Sequence, residues 1–495
     1  MHTLKELLEN IDYEIVKGSL DTQVSSIEMD SRKVTEGALF FCISGYKIDG
    51  HSFAADVVTK GAKVVIIEKD IDLRTIDSIA TDVTVVKVKD TRYAMAFISA
   101  AFYDHPADKL KVIGITGTKG KTTTTYLVKS ILESAGFKVG LIGTIEIIIG
   151  DEHIHAVNTT PESFTLQQYF KKMVDAGISI VVMEVASQGL KLHRTQGFTF
   201  ELGVFTNLSQ DHIGPNEHES MEEYIECKSR LFRQCRLGIV NADDAYLLKV
   251  TKGHTCNLET FGFNEEADLY AKNLKLIHKV GELGISFDVM GDMEFNVEVP
   301  TPGRFSVYNA LTAIAICKHF DVSIEDIIKA LKNAHVKGRI EMVQTPYPFT
   351  LLIDYAHNAM SLESILTTLR EYEPNRLICL FGCGGNRSKD RRFLMGETSG
   401  KLADLSIITS DNPRDEDPQE IINDIKVGIN KTSGKYIEIV DRKDAIRYAI
   451  MNGKKHDIIV LAGKGHEDYQ EIKGVKYPMD ERVIIREIVK ELQGQ

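Results

Sequence analysis

The segment around residue 117 reads Val112-Ile113-Gly114-Ile115-Thr116-Gly117-Thr118-Lys119-Gly120-Lys121-Thr122-Thr123. Its apolar first part is too short for a helix and predicts a strand. A turn containing glycines follows, and a helical pattern then extends from about Lys121 to Ala135 and stops at Gly136. Strand, glycine turn and helix in this order are the arrangement in which a phosphate-binding loop is expected.

The residues of the turn have the chemistry that such a loop needs. Gly117 and Gly120 allow backbone N–H groups to close on phosphate oxygens, where a Cβ atom would obstruct them. The start of the helix adds partial positive charge, and Lys121 adds a full one. Thr122 or Thr123 can place a hydroxyl group on Mg²⁺. We therefore predict an ATP site, contacted by Gly117, Thr118, Lys119, Gly120, Lys121, Thr122 and Thr123. The match to G-x-x-x-x-G-K-[ST] is incomplete because its first glycine falls at Ile115, and a glycine turn that caps an ordinary helix is the alternative.

Length and composition restrict the class of protein. The chain has 495 residues, and single cores rarely grow beyond about 250–300 residues, so we expect about three domains. Hydrophobic residues make up 43% and charged residues 26%, which is typical of a globular protein. The net charge is −12 and no long block of lysine and arginine occurs, which argues against nucleic acid or an anionic membrane as a partner.

Targeting and cysteine patterns point to the cytoplasm. The N-terminal segment has no signal-peptide pattern, and no later segment reaches the about 18 uninterrupted apolar residues of a membrane span. We therefore expect a cytoplasmic protein, without membrane insertion. The seven cysteines are scattered and form no C-x-x-C motif. They predict reduced thiols and do not indicate a structural zinc site.

The pattern of elements suggests domains at residues 1–106, 107–335 and 336–495. In the first domain, residues 63–67 and 83–88 have strand patterns and residues 90–103 a helical one. The turn Asp30-Ser31-Arg32 follows an apolar run, where a ligand could dock; an ordinary surface turn is the alternative.

In the second domain, polar side chains follow predicted parallel strands. One strand ends on Glu184, and another leads through Asn207 to Asp211 and His212. The carboxyl ends of parallel strands are where open α/β sheets bind ligands, so Glu184 and His212 could reach a divalent ion near the glycine loop. Hydrogen-bonded surface groups are the alternative.

Further along this domain the sequence is less informative. Composition alone would place Lys228, in the helical stretch 221–232, on a solvated face. Residues 268–300 predict an edge hairpin, with strands at 285–289 and 295–299. A helix is expected to open at Arg304, to carry Asn309 and to run to about Phe320.

The third domain alternates strands with helical stretches, which predicts a parallel, doubly wound sheet. Four of its strands end in polar turns at residues 354–358, 382–387, 410–414 and 462–467. Such turns at one edge of a sheet are expected to converge on one substrate-binding crevice.

Taken together, the motifs resemble those of the Mur ligase family of ATP-dependent, amide-bond-forming enzymes, and the resemblance covers essentially the whole chain. The segments that carry it are Asp30-Ser31-Arg32, residues 116–123, Asn158-Thr159-Thr160-Pro161, Met183-Glu184-Val185, residues 207–212, Lys228-x-x-Leu231-Phe232, Gly338-Arg339, Asp354-Tyr355-Ala356-His357, Asp411-Asn412-Pro413-Arg414 and Gly463-Lys464-Gly465-His466-Glu467.

The resemblance implies an α/β fold with the three-domain Mur ligase architecture: a central P-loop-type ATPase domain and a C-terminal doubly wound, Rossmann-like domain. It implies a monomeric ligase of peptidoglycan synthesis, needed for cell wall biogenesis, cell shape and cell division. Its substrates would be ATP with Mg²⁺, UDP-MurNAc-L-Ala-D-Glu and a diamino acid. An acyl phosphate would be formed first and then attacked by the amine.

The resemblance also implies roles for individual residues. Catalysis would rest on Lys121, Glu184, His212 and Lys228. The metal would be held by Thr122, Glu184, His212 and Lys228, the last as a CO₂-derived carbamate. Further nucleotide contacts would be Asn309, Arg339, Asp354 and His357. The UDP-MurNAc-dipeptide would contact Ser31, Asn158, Thr159, Thr160, Ser187 and Arg194. The amino acid would contact Arg387, Asp411, Asn412, Pro413, Arg414, Gly463 and Glu467.

The acceptor is the sharpest question. Asp411-Asn412-Pro413-Arg414 is similar to the motif of members that take meso-2,6-diaminopimelate, whose distal carboxylate suits a guanidinium group. A surface Arg414 paired with Asp415 or Glu416 is the alternative. L-Lysine or another diamino acid as acceptor, and a folate-type polyglutamate ligase, are the other readings. The chain departs from the family pattern at Lys119, at Ala186-Ser187-Gln188 and at Ser306.

Overall fold

The computed structural model describes residues 2–45, 48–211, 213–214 and 217–494. It divides into two compact units, one of residues Met1–Asp268 with Thr312–Val322 and the other of Leu269–Leu311 with Ser323–Gln495. Each unit is an α/β structure, as the sequence predicts. No described helix is long and apolar enough to cross a membrane.

The first part of unit one is a five-stranded sheet covered by helices. Its strands lie in the order β2-β7-β6-β5-β4, all parallel except β2. Thr3 and Glu6 form a capping box that starts α1. The elements are β1 (His2–Thr3), α1 (Leu4–Leu7), β2 (Tyr13–Lys17), β3 (Gln23–Val24), β4 (Ser26–Glu28), β5 (Ala38–Phe41), α2 (Ala54–Thr59), β6 (Val64–Ile67), α3 (Leu73–Ile79), β7 (Thr84–Val88) and α4 (Thr91–Phe102).

The second part of unit one contains the glycine loop. Its strands lie in the order β11-β10-β9-β12-β8-β13-β14-β15, and from β9 to β15 they are parallel. The elements are β8 (Lys111–Thr116), α5 (Lys121–Ser134), β9 (Val139–Ile142), β10 (Glu146–Ile149), β11 (Glu152–His155), α6 (Ser163–Asp175), β12 (Ile180–Glu184), α7 (Ser187–Lys191), β13 (Phe200–Phe205), α8 (Met221–Ser229), β14 (Cys235–Asn241), α9 (Leu247–Val250) and β15 (Asn257–Gly262).

The order of these strands positions the site. Strand β8 lies between β12 and β13, so the carboxyl ends of three neighbouring parallel strands share one edge. The glycine loop follows β8, Glu184 ends β12, and Thr206 and Asn207 follow β13. This is the edge at which open α/β sheets bind ligands.

The second unit begins with an antiparallel meander and continues into a sheet flanked by helices. The predicted hairpin is confirmed by the pairing of β17 with β18, and β16 extends it to three strands. The first elements are β16 (Leu269–Lys279), β17 (Glu282–Gly291), β18 (Phe295–Val299), α10 (Arg304–Cys317, whose last residues from Thr312 belong to unit one) and α11 (Ile324–Lys332).

The C-terminal sheet has the strand order β19-β20-β24-β21-β22-β23, and only β19 is antiparallel to its neighbour. Apolar clusters cover both faces, as expected of a doubly wound sheet. The elements are β19 (Glu341–Val343), β20 (Thr350–Asp354), α12 (Ala359–Arg370), β21 (Leu377–Phe381), α13 (Lys389–Leu402), β22 (Leu405–Ile408), α14 (Pro418–Ile429), β23 (Tyr436–Glu438), α15 (Arg442–Asn452), β24 (Ile458–Ala462), β25 (Tyr469–Ile472), β26 (Val475–Pro478) and α16 (Glu481–Leu492).

Candidate active site

The glycine loop is held in place by the segment after β13. The backbone N–H of Thr118 donates to the main-chain carbonyl of Asn207 at 2.8 Å, and that of Lys119 donates to the Asn207 side-chain oxygen at 3.0 Å. Gly117 has φ +153°, and a Cβ atom there would lie 2.0 Å from the Thr206 hydroxyl. Gly120, with φ +86°, is the residue immediately before α5. Glycine is therefore required for close packing at the first position and for a left-handed turn at the second.

Two lysines meet at this loop. The ammonium group of Lys121 donates to the carbonyl oxygen of Gly117 at 2.8 Å and to that of Thr118 at 3.2 Å. Lys228, on α8, donates to the same Gly117 oxygen at 3.0 Å. Lys228 is 1% exposed, so the solvated position expected from composition is wrong. Burial, with the neighbouring charge of Lys121, holds the pKa of Lys228 well below its ordinary value.

Tyr224 is a loop contact that the sequence did not reveal. Its hydroxyl group lies 3.1 Å from the hydroxyl of Thr118, which also accepts a hydrogen bond from the backbone of Ser209. The Lys228 ammonium lies 4.6 Å from the centre of the Tyr224 ring. Helix α8 thus touches the glycine loop through two side chains, one turn apart.

Glu184 lies inside the sheet edge beside the loop. Its buried carboxylate accepts from the hydroxyl of Thr122 at 3.0 Å. The backbone N–H of Thr144 donates to it at 2.8 Å, and the Thr144 hydroxyl at 3.0 Å. The carboxylate is therefore satisfied by hydroxyl and backbone donors, and it lies next to the first helical turn of α5. Thr122 and Glu184 bring two oxygen groups together at this point.

The turn after β11 contacts the end of the Glu184 strand. The Thr144 and Thr159 hydroxyls lie 3.0 Å apart, and the hydroxyl of Thr160 donates to the Glu184 main-chain carbonyl at 2.9 Å. Arg194 donates to the carbonyl of Thr160 at 2.9 Å and pairs with Glu162 at 2.7 Å. Asn158 is exposed in the same turn. Four of the predicted dipeptide contacts, Asn158, Thr159, Thr160 and Arg194, are thus neighbours.

Two other predicted residues have different settings. Ser187 is buried at the start of α7, and its hydroxyl lies 2.8 Å from the imidazole Nε2 of His218. Ser31, in the first sheet region, accepts a hydrogen bond from Lys60 through its main-chain carbonyl at 2.9 Å. His212 lies outside the described residues.

In the second unit, the turn after β20 forms a stacked group. The Arg339 guanidinium lies 4.7 Å from the centre of the Tyr355 ring, on which His466 also packs at 4.7 Å. The Asp354 carboxylate accepts from the backbone N–H of Ile340 at 2.9 Å, and burial raises its pKa, an effect that Arg339 opposes. His357 is exposed beside Tyr355. Asn309 is buried on α10.

The polar turns of the C-terminal sheet do converge, and Lys464 is at their centre. Its fully buried ammonium group donates to the side-chain oxygen of Asn412 at 2.8 Å and to the carboxylate of Glu467 at 2.8 Å. Asn412 also donates to Glu467 at 2.9 Å. The Asn412 carbonyl accepts from Gly385 at 2.8 Å, which joins the turn after β21 to the group. Lys464 belongs to a motif identified in the sequence. Nothing in the spacing of that motif indicates that the lysine binds both Asn412 and Glu467, two predicted amino-acid contacts.

Arg414 is held by the hairpin of β25 and β26. Its guanidinium pairs with Glu471 at 3.2 Å and donates to the Gly385 carbonyl at 2.8 Å. Its backbone has φ +51°, and its N–H donates to the Glu471 carbonyl at 3.0 Å. The alternative pairing of Arg414 with Asp415 or Glu416 does not match these contacts. Both carboxylates accept hydrogen bonds from Asn386, and Glu416 also pairs with Arg392.

The remaining predicted residues of this region complete the edge of the sheet. Asp411 and Pro413 are buried, and Arg387 is exposed. Gly463 has φ +110°, and a Cβ atom there would lie 2.7 Å from the Asp411 carboxylate. A Cβ atom at position 463 would therefore collide with the Asp411 carboxylate, so that glycine is the residue type that fits here.

Known proteins resemble the chain over nearly its whole length. Three family models match successive parts of the chain: Mur ligase family, catalytic domain, at residues 23–103; Mur ligase middle domain at 115–317; and Mur ligase, glutamate ligase domain, at 338–465. The chain is 45% identical over 492 residues to UDP-N-acetylmuramoyl-L-alanyl-D-glutamate–2,6-diaminopimelate ligase 1 of Clostridium acetobutylicum, with 99% of each chain covered. It is also 45% identical over 490 residues to UDP-N-acetylmuramoyl-L-alanyl-D-glutamate–2,6-diaminopimelate ligase of Caldanaerobacter subterraneus subsp. tengcongensis, with 99% of each chain covered.

A solved structure of a UDP-N-acetylmuramoyl-L-alanyl-D-glutamate–2,6-diaminopimelate ligase superimposes with a TM-score of 0.72 and 28% identity, covering 100% of this chain and 99% of the other. The chain therefore belongs to the Mur ligase family. It is an ATP-dependent ligase that forms amide bonds, and the α/β, three-domain architecture expected from its sequence is confirmed. The individual domain boundaries stay a prediction.

Proposed function

We propose that the chain joins the D-glutamate carboxylate of UDP-N-acetylmuramoyl-L-alanyl-D-glutamate to an amino group of meso-2,6-diaminopimelate, with ATP converted to ADP and phosphate, in peptidoglycan biosynthesis. The observation that carries the reaction type is the pair of lysines, Lys121 and Lys228, at the carbonyl of Gly117. The names of the full-length relatives support the substrates. We further propose that the enzyme acts in the cytoplasm as a monomer.

The glycine loop would bind the ATP phosphates. Its backbone N–H groups and the start of α5 favour anions, and Lys121 would turn from the loop carbonyls toward the γ-phosphoryl group. The predicted loop contacts are Gly117, Thr118, Lys119, Gly120, Lys121, Thr122 and Thr123. In the second unit, the predicted nucleotide contacts are Asn309, Arg339, Asp354 and His357. The guanidinium group of Arg339 lies over the ring of Tyr355.

Thr122 and Glu184 fit a magnesium site. Their hydroxyl and carboxylate oxygens lie 3.0 Å apart beside the loop, and hard oxygen ligands suit Mg²⁺. We propose these two residues, His212 and a carbamate on Lys228 as metal contacts. Bound Mg²⁺ would neutralise charge on the phosphate oxygens.

Lys228 has the surroundings that a carbamate needs. A buried amine is easily held neutral, and a neutral amine can add to CO₂. The neutral nitrogen forms a bond to the carbon of CO₂ and releases one proton, so that a neutral amine becomes a carbamate anion. The anion would also attract the ammonium group of Lys121, which lies at the same carbonyl oxygen.

The dipeptide end of the nucleotide substrate would lie along the turn after β11. Asn158, Thr159, Thr160, Ser187 and Arg194 are the proposed contacts there, and Ser31 the proposed contact of the uridine diphosphate. The Arg194–Glu162 pair keeps the guanidinium at this turn in the absence of substrate. On binding, a substrate carboxylate could replace Glu162 as the partner of Arg194.

The reaction follows from these positions. A carboxylate resists attack by an amine because its leaving group is poor, and phosphorylation makes an acyl phosphate whose leaving group is good. The protein's part is to position the groups and to neutralise the charge that develops on the phosphoryl and carbonyl oxygens. Lys121 would neutralise the charge that develops on the phosphoryl oxygens.

The amino acid would bind at the turns joined by Lys464. Asp411, Asn412 and Glu467 provide acceptors for an ammonium group, and Arg387 and Arg414 provide donors for a carboxylate. Pro413 and Gly463 would shape the pocket. meso-2,6-Diaminopimelate carries a distal carboxylate and L-lysine does not, so Arg414 favours the former as acceptor.

A panel of amino acids tests this proposal. Purified protein with ATP, Mg²⁺, bicarbonate and UDP-N-acetylmuramoyl-L-alanyl-D-glutamate is incubated with meso-2,6-diaminopimelate, L-lysine, L-ornithine or lanthionine. We expect phosphate release and a new amide only when nucleotide dipeptide and amino acid are both present, and fastest with meso-2,6-diaminopimelate. Absence of any new amide in the whole panel would refute the proposal.

A further inference from the structure

A second group of side chains with the chemistry of metal ligands lies beside the candidate active site. His218, Glu223 and Cys227 each have one ligand atom within 4.8 Å of the others' ligand atoms. His218 and Cys227 are buried, and Glu223 is partly exposed. None of the three belongs to the proposed magnesium contacts. The sequence shows no C-x-x-C motif, and its cysteine spacing gave no zinc signal; the set becomes visible only when His218 is brought against α8.

The spacing of the three ligand atoms is compatible with a shared metal ion. Glu223 and Cys227 are four residues apart on α8 and therefore lie on the same face of the helix. The Nδ1 atom of His218 is 3.6 Å from a Glu223 carboxylate oxygen. Zinc–ligand bonds of about 2.0–2.3 Å place neighbouring ligand atoms about 3.3–3.8 Å apart. The 3.6 Å between His218 and Glu223 already falls in this range.

The other ring nitrogen of His218 already has the partner that a metal-binding histidine needs. Nε2 lies 2.8 Å from the hydroxyl oxygen of Ser187. With the proton on Nε2 donated to Ser187, Nδ1 presents its lone pair toward Glu223. A hydrogen bond from the second nitrogen to a neighbouring oxygen is what orients most metal-bound histidines.

We propose that His218, Glu223 and Cys227 form a binding site for a zinc-class divalent transition metal, with water in the fourth position. Imidazole and thiolate are ligands that Zn²⁺ takes and Mg²⁺ avoids, so this site is distinct from the one at Thr122 and Glu184. The thiol proton of Cys227 leaves when the metal binds, and the thiolate and carboxylate then balance the two positive charges of the ion. Lys191 pairs at 2.7 Å with the carboxylate oxygen that does not face His218. The oxygen that faces His218 accepts from the backbone N–H of Glu219 at 2.7 Å, and its second lone pair would bind the metal.

The position of the site suggests what the metal does. It would tie the segment that carries His218 to α8, whose next residue after Cys227 is Lys228. Through His218 it would also hold Ser187, a proposed dipeptide contact. The metal would therefore stabilise the part of unit one on which two proposed functional side chains depend.

Cobalt(II) is the probe for this site, because a cobalt–thiolate bond gives a charge-transfer absorption that oxygen ligands alone do not give. Reduced, metal-free full-length protein is titrated with Co²⁺ in the presence of excess Mg²⁺, and bound metal is counted by mass spectrometry. We expect one Co²⁺ per chain with the thiolate band, displaced by Zn²⁺. Cys227→Ser is expected to abolish the band, and His218→Gln to weaken binding at least about tenfold. Cys235→Ser, which removes another buried thiol of the same unit, is the matched control and keeps the band.

Two further measurements separate metal binding from effects of the variants on folding and from the ligase activity. The thermal midpoint of the wild type is expected to rise with stoichiometric Zn²⁺, a readout that needs no variant. Lys121→Met, which would lack the proposed ATP chemistry, is expected to bind Co²⁺ like the wild type, so failure of the ligase proposal and of the metal proposal are separable. A cobalt spectrum without a thiolate band, a band unchanged in Cys227→Ser, or a band lost in Cys235→Ser would each overturn the assignment.

Discussion

The ammonium nitrogen of Lys228 lies 3.0 Å from the carbonyl oxygen of Gly117, a residue 111 positions earlier in the chain. Lys121 donates to the same oxygen at 2.8 Å. A positive charge on Lys228 would be costly, since the side chain is buried and the partly exposed Lys121 would repel it. Such an arrangement is expected where the charge has a use in catalysis rather than in stability.

Replacing Lys228 by methionine keeps the bulk of the side chain and removes its nitrogen. If Lys228 carries a carbamate that positions the metal and phosphates, Lys228→Met should lower kcat at least about a hundredfold, in the range of a lost electrostatic donor. With ¹³C-bicarbonate, the wild type should give a carbamate carbon signal in NMR spectra that the variant lacks. Lys171→Met, which removes an exposed lysine paired with Asp175, is the control and should leave both readouts unchanged. A fully active Lys228→Met enzyme would contradict the role.

The same burial predicts how stability depends on pH. The pKa of Lys228 is lowered in the folded protein, whereas the unfolded chain has a value near 10.5. Between the two values the unfolded state binds a proton that the folded state does not, so the free energy of unfolding rises with pH until the unfolded lysine loses its proton. The slope of this contribution is up to about 1.4 kcal/mol per pH unit.

Denaturant titrations of the wild type and Lys228→Met in CO₂-free buffer measure this contribution. The difference in unfolding free energy, wild type minus variant, should increase as the pH is raised from 7 to about 10. A difference that stays constant or decreases would show that Lys228 remains protonated in the folded protein.

The contrast between Lys121 and Lys228 shows what the sequence could predict. Lys121 is identified from neighbouring residues, since strand, glycine turn and helix follow one another in the chain and their patterns are local. The alternation of strands and helices likewise gave the parallel sheets. Nothing near Lys228 in the sequence indicates burial, because its neighbours at the site come from β8 and the glycine loop. Only the family resemblance singled it out.

The same limit applies to Tyr224 and Lys464. Tyr224 reaches Thr118 across 106 residues, and Lys464 reaches Asn412 across 52. Contacts of this kind depend on which loops the sheet order brings together, and single-sequence patterns carry little of that information. Arg414 is intermediate, since its motif was recognised but its partner Glu471 lies on a hairpin that was not predicted.

Tyr224→Phe tests the contact between α8 and the loop. The variant removes the hydroxyl that lies 3.1 Å from Thr118 but keeps the ring near Lys228. Loss of one buried hydrogen bond costs about 1 kcal/mol, so the KM for ATP should rise about fivefold with a smaller change in kcat. Steady-state kinetics at saturating amino acid give both constants. Tyr246→Phe, elsewhere in the same unit, should behave as the wild type; equal kinetics of the two variants would exclude a role of the Tyr224 hydroxyl.

Arg414→Ala tests the choice of acceptor. A charge-assisted hydrogen bond to the distal carboxylate is worth about 1.5–3 kcal/mol, so kcat/KM for meso-2,6-diaminopimelate should fall tenfold or more. L-Lysine has no distal carboxylate and should lose much less. Arg447→Ala, which removes a partly exposed arginine paired with Glu491, is the control. Equal losses for both amino acids would remove the specificity argument and leave Arg414 a structural partner of Glu471.

Lys464 should act on the amino-acid site through the residues that it holds. Its ammonium group is the shared donor to Asn412 and Glu467, and Lys464→Met would leave the Glu467 carboxylate with only the Asn412 amide as its partner among these three. We expect the KM for the amino acid to rise at least about tenfold, while the KM for ATP changes little. The unfolding free energy should fall by about 2–3 kcal/mol, because a buried charge pair loses one member.

Lys476→Met is the matched control for this variant, since Lys476 also lies over the Tyr469 ring but is exposed. Removing it takes away a cation–π contact without touching Asn412 or Glu467, so neither KM should change. Kinetics with the amino acid varied, followed by denaturant unfolding of both proteins, separates the two effects. If Lys464→Met lost stability but kept its KM for the amino acid, the lysine would only hold the turns together, and the pocket would have to lie elsewhere on this sheet edge.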